Sequence, residues 1–114
     1  VYVCGVSISS DFPTTPQAFK KFGFGGSAIL SKINPSGSAF VYSTFLDQTQ
    51  QAANAVVVDA QGHAFVCGNH MALSGLDTTN GFVARMNPQG SQMLWWQSIG
   101  GTATDLARSV AIDP

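Results

Sequence analysis

The chain has 114 residues, 45% of them apolar, 11% aromatic and only 10% charged, and five Lys and Arg stand against six Asp for a net charge of -1. This length holds one domain at most, and so even a charge balance leaves no basic field for a phosphate backbone or an anionic membrane. No apolar run approaches the roughly eighteen residues of a membrane helix, and the opening VYVCG has no basic segment or cleavage site, so any signal peptide is expected to lie outside this stretch.

Gly (12), Ser (12), Thr (8) and Gln (8) fill the places that charges usually take, a composition of β-structure with many turns. In chain order, Val1 to Gly5 reads as a strand. Residues 6–27 gather Pro13, Pro16, Gly23, Gly25 and Gly26, which is loop chemistry. Ala28 to Ser38 runs as a strand into Asn34-Pro35-Ser36-Gly37, where Pro presets the second turn position and Gly tolerates positive φ at the fourth. A returning strand carries the chain to Leu46, and 47–53 is a link.

The next four strands are expected at 54–59, 63–68, 82–87 and 92–99. Asp59-Ala60-Gln61-Gly62 and Asn87-Pro88-Gln89-Gly90 are tight turns, whereas 69–81 and 100–106 are longer links. Residues 107–113 read either as a strand or as part of a short helix capped by Asp105. Alignment with the three valines at 56–58 favours a strand.

This order contains an internal repeat. VYVCG at 1–5 returns as AFVCG at 64–68, 63 residues on, and AILSKINPSGS returns as FVARMNPQGS with Asn34 matched by Asn87. AVVVD at 55–59 returns as SVAID at 109–113. The unit is 53 or 54 residues, with about ten more inserted between Gly5 and Ala28 at small entropic cost. Its apolar pattern has period two and sustains no helical period. The expectation is an all-β chain, 1–114, of two four-stranded antiparallel propeller blades. Strands two to four of one blade lie in 1–46, a complete blade in 54–99, and the first strand of a further blade in 107–113.

Asp11-Phe-Pro-Thr-Thr-Pro-Gln-Ala-Phe19, Lys32 to Leu46 and Val56 to Val66 resemble the bacterial seven-bladed β-propeller repeat family (SBBP repeats) over nearly the whole chain. The resemblance implies a radial repeat in secreted or cell-surface bacterial proteins, with no assigned general activity. The second copy departs from the pattern, keeping only Asp77-Thr78-Thr79 of the Asp-Phe-Pro-Thr-Thr-Pro segment. The first has Asp47-Gln48 where the second has Gly100-Gly101.

In such a fold the short hairpins share one rim and the longer links the other, which is the expected binding face. That face would present Asp11, Phe12, Lys20, Lys21, Phe22 and Phe24 from the long loop. Asp47, Gln48, Gln50 and Gln51 would join from one crossing, and His70, Asp77, Thr102, Thr104 and Asp105 from the others. Two blades do not close a ring of four to eight, so the chain is expected to be part of a longer propeller or a protomer whose copies complete one.

Other constellations carry less. Cys4 and Cys67 hold equivalent places, but blades packed about 10 Å apart exceed the roughly 7 Å a disulfide spans, so free thiols are expected. His63, Cys67 and His70 have zinc-like spacing, yet on a strand His70 points away and no fourth ligand follows. Ca²⁺ would draw on Asp side chains scattered over separate loops; a Ca²⁺ site on the loop rim is kept as the alternative to the expectation of no cofactor.

Of Trp95-Trp96 one ring should pack against the neighbouring blade and the other face outward, where a sugar could stack. No Gly-x-Ser-x-Gly occurs, and neither histidine has a nucleophile and an orienting carboxylate at informative spacing. The sequence therefore reads as a structural or protein-interaction module, not an enzyme. The alternative is a carbohydrate-binding or metal-dependent, lactonase-like hydrolase propeller seen in part. Expected partners are a protein or glycan ligand and further blades or copies, without nucleic acid or a membrane span.

Overall fold

The computed structural model describes residues 1–23, 25–46, 51–70, 80–101 and 105–113. They form seven strands: β1 (Tyr2–Ser7), β2 (Ser27–Ile33), β3 (Phe40–Phe45), β4 (Gln51–Val58), β5 (Ala64–His70), β6 (Gly81–Met86) and β7 (Met93–Ile99). No helix is present among the described residues. The strands make two antiparallel sheets, β1-β2-β3 and β4-β5-β6-β7, each ordered as in the sequence. The all-β, antiparallel class is as the period-two pattern expects.

The hairpins follow from their turn residues. In the β2–β3 turn Asn34 Oδ1 accepts from the backbone N–H groups of Ser38 and Ala39 at 2.9 and 3.4 Å. In the β6–β7 turn Asn87 Oδ1 accepts from those of Ser91 and Gln92 at 2.9 and 3.2 Å. Asp59 does the same for Gln61 and His63 between β4 and β5. Each turn closes on a glycine of positive φ, namely Gly37 (74°), Gly62 (92°) and Gly90 (69°).

The two sheets stack with β4 lying against β1 and β2. Ala28, Leu30, Tyr42 and Leu46 of the first pack with Ala53, Val66, Phe82, Ala84 and Met86 of the second. Phe82 is wholly buried, which alone stabilises the fold by about 2 to 3 kcal/mol. Trp96 stacks on it at 4.1 Å between centroids.

Two expectations change. β4 begins at Gln51, not at 54, and Gln51 is a buried strand residue and not part of an exposed link. Residues 107–113 carry no strand. A strand needs a ladder, and this segment instead lies over the face of the second sheet that points away from the first. There the Ala107 carbonyl accepts from Asn54 Nδ2 at 2.8 Å and faces Cys67 Sγ at 3.8 Å.

From the long segment between β1 and β2, residues 13–20 run as a strap along the outer edge of β3. Thr15 N–H donates to the Ser43 carbonyl and Phe45 N–H to the Lys20 carbonyl, both at 3.0 Å. Beneath it Ser43 Oγ donates to the Pro13 carbonyl and pairs with Ser31 Oγ, each at 2.8 Å.

Candidate functional site

The antiparallel ladders bring the ends of β1, β3, β5 and β7 to one rim, together with the longer connections. Of the expected rim residues, Asp11 and Lys21 are exposed and Phe22 is 71% exposed. Ile8, 80% exposed, joins them. Phe12 turns inward, edge-on to Phe45 with ring centroids 5.6 Å apart. Lys20 is half-buried, its backbone bonded to Thr44 and its ammonium 5.8 Å from the Phe19 ring centre. The long loop thus presents Ile8, Asp11, Lys21 and Phe22 to solvent.

Where β4 begins and β5 ends, His70 is the last residue of β5, and its Nε2 lies 3.2 Å from Gln51 Nε2. Asp105 accepts from Gly101 N–H at 2.8 Å, closing the link after β7. Phe24, Asp47, Gln48, Gln50, Asp77, Thr102 and Thr104 lie outside the described residues. The structure therefore joins His70 to Gln51 and Asp105 to Gly101, and leaves Asp11, Lys21 and Phe22 as separate exposed groups.

The opposite rim holds a charged cluster that turn chemistry alone did not reveal. His63 Nδ1 lies 3.0 Å from Asp59 Oδ2, and Arg85 from β6 approaches that oxygen at 3.8 Å. Partial burial works against the Asp59 charge. Two backbone N–H groups and the His63 ring outweigh it and hold the carboxyl below its ordinary value. Arg85 also stands over the Phe65 ring at 5.4 Å. The sequence signal was the Asp-x-x-Gly-His turn; the arginine is supplied by the β5–β6 register, which pairs Phe65 with Arg85.

His63, Cys67 and His70 do not meet, because each has a separate partner in Asp59, the Ala107 carbonyl and Gln51. No group of three metal-ligating side chains forms among the described residues. Cys4 and Cys67 are free thiols. Burial raises both above their usual range, helped for Cys4 by the nearby Cys67 and opposed for Cys67 by a backbone bond at Ala55.

On the outward face of the second sheet Trp95 is 41% exposed, with its ring edge-on to Phe65 at 6.2 Å. A groove between the strap and the β6–β7 turn is lined by Thr15, Gln17, Phe40, Val41, Gln89 and Ser91. The arrangement can bind through exposed aromatic and apolar groups. Among the described residues it sets no nucleophile beside a base.

No protein-family model matches the chain, and none of the curated proteins gives a significant match. The fold and surfaces define an all-β chain of two antiparallel sheets.

Proposed function

We propose that the chain forms two blades of a β-propeller and serves as a structural or protein-interaction module of a secreted or cell-surface bacterial protein. The long-loop rim is its binding face. The observation that carries this reading is a contact found once in each sheet. Lys32 stands over the Tyr2 ring at 5.4 Å in the first, and Arg85 over the Phe65 ring at 5.4 Å in the second. These four residues hold matching places in the 53 to 63-residue repeat, as do the Asn34 and Asn87 turns. Equal packing at repeated positions is what radial repetition of one unit requires.

The strand order β4-β5-β6-β7, with the first strand at one margin, supports the same reading. So does the segregation of short hairpins and long links to opposite ends. Exposed Phe22 and Ile8 on the long-loop rim suit a protein surface better than a sugar, because they offer no hydrogen bonds.

The test is a single chain of three or four head-to-tail copies, imaged by electron microscopy. A closed ring of evenly spaced blades is expected; an open rod or separate beads would overturn the propeller. Trp95 favours one second reading, carbohydrate binding by stacking on its exposed face. Binding on a glycan array that is lost in Trp95→Ala would replace the protein-binding role with that one.

A further inference from the structure

The strap and the β6–β7 turn each carry a Pro-Gln corner, and the fold brings both corners to one groove. In Thr15-Pro16-Gln17-Ala18 the Ala18 N–H donates to the Thr15 carbonyl at 3.0 Å. In Asn87-Pro88-Gln89-Gly90 the Gly90 N–H donates to the Asn87 carbonyl at 3.1 Å. Proline presets the second position of both turns and glutamine takes the third, which leaves Gln17 and Gln89 exposed.

One residue joins the two corners. The Gly90 carbonyl accepts from the Phe19 N–H at 2.9 Å, which ties the strap to the turn. Gly90 has a φ of 69°, and a Cβ there would run into the Tyr42 ring, so only glycine lets the turn close on β3. Thr15 is fixed to the same strand: its N–H donates to the Ser43 carbonyl at 3.0 Å and its hydroxyl accepts from the Ser43 N–H at 3.1 Å. The groove is therefore held in shape by the fold itself, and its volume of about 710 Å³ falls in the range of small-molecule sites.

The lining has a definite chemistry. Phe40 and Val41 of β3 supply apolar surface, 41% and 52% exposed. The Gln17 and Gln89 side-chain amides have no hydrogen-bond partner among the described residues. Ser91 Oγ accepts from Asn87 Nδ2 at 3.0 Å and keeps its own proton to donate. No side chain lining the groove is charged at neutral pH.

We propose that this groove binds a neutral pyranose sugar. A pyranose has C–H faces and an edge of hydroxyls that donate and accept. With one face laid on Phe40, the edge meets Gln17 and Gln89, whose carbonyl and NH₂ groups bond neighbouring hydroxyls, and Ser91 donates a further bond. An acidic sugar would bring its carboxylate into a lining without a counter-charge. An extended peptide would need a strand edge to pair with, and the strap already holds Ser43 and Phe45 of β3. The site is separate from the long-loop rim and from Trp95, and it does not depend on the blade reading.

The test is a titration of the isotope-labelled 114-residue chain with maltose, cellobiose, lactose and chitobiose, read at the side-chain amide resonances of Gln17 and Gln89. At least one of these sugars should shift both amides saturably, and Gln17→Ala and Gln89→Ala should each weaken its binding about five- to tenfold. Both glutamines are exposed, so urea unfolding of the two variants should match the native chain. Phe40→Leu keeps apolar bulk without the flat face and should weaken binding by a similar factor. No saturable shift with any of the four sugars, or a larger response to glucuronic acid, would overturn the proposal. So would an uncharged, end-blocked peptide of alternating serine and valine that moves both amides where no sugar does. Sugar binding that survives both glutamine variants would also overturn it, and its loss in Trp95→Ala would then move the sugar to the outward face of the second sheet.

Discussion

His63 Nδ1 and Asp59 Oδ2 sit 3.0 Å apart at the β4–β5 turn, and the same carboxylate caps the turn through two backbone N–H groups. One side chain thus performs two tasks. Asparagine can take over the turn bonds but not the charge, so Asp59→Asn isolates the second. The Asp59 carboxyl is held below its ordinary 3.8, so its charge stabilises the folded state above that pH. The contribution fades as pH falls from about 4 through the depressed folded value. Thermal melts should show the native chain more stable than Asp59→Asn at pH 7, with the gap closing below pH 4. A gap independent of pH would remove the charge from the account.

Tyr42 is 1% exposed, and its hydroxyl has no hydrogen-bond partner among the described residues. Burial, with Tyr2 close by, drives its ionisation well above the usual range, so the hydroxyl stays neutral. An unpartnered buried hydroxyl costs on the order of 1 to 3 kcal/mol. Tyr42→Phe keeps the ring against the core and should be neutral or stabilising by about 1 kcal/mol in urea unfolding. A loss of that size would mean the hydroxyl has a partner.

Ser43 Oγ ties the strap to β3 through the Pro13 carbonyl and Ser31 Oγ. Ser43→Ala leaves the buried Ser31 Oγ and the half-buried Pro13 carbonyl short of a partner and should cost about 1 to 3 kcal/mol. The loss should be local first. Limited proteolysis is expected to cut within 11–22 faster in the variant, with the core strands protected; unchanged cleavage there would show that the strap is held by its backbone bonds alone.

Cys4 and Cys67 should both be alkylated when the chain is denatured without reductant, and react slowly in the native state, because burial disfavours the thiolate. Two labels per chain are the expected mass shift. An unlabelled pair would establish a disulfide.

Much of this fold was legible because its signals are local. Alternation fixes which side of a strand is buried, and Asn or Asp followed three residues later by Gly fixes where it turns. The Trp95-Trp96 alternation came out the same way, with Trp96 on the core and Trp95 half outside. What escaped depends on residues far apart in sequence. Arg85 reaches Asp59 through the β5–β6 register, Phe12 is drawn onto Phe45, and Gln51 is buried beside His70. The strand expected at 107–113 had the right pattern, but a pattern forms a strand only where an edge is offered to it.

The strap on β3 has a further effect. By occupying the outer backbone groups of Ser43 and Phe45 with its own loop, the chain denies a stray extended peptide those two footholds. At those two residues the β1–β3 sheet is barred from seeding a fibre across β3.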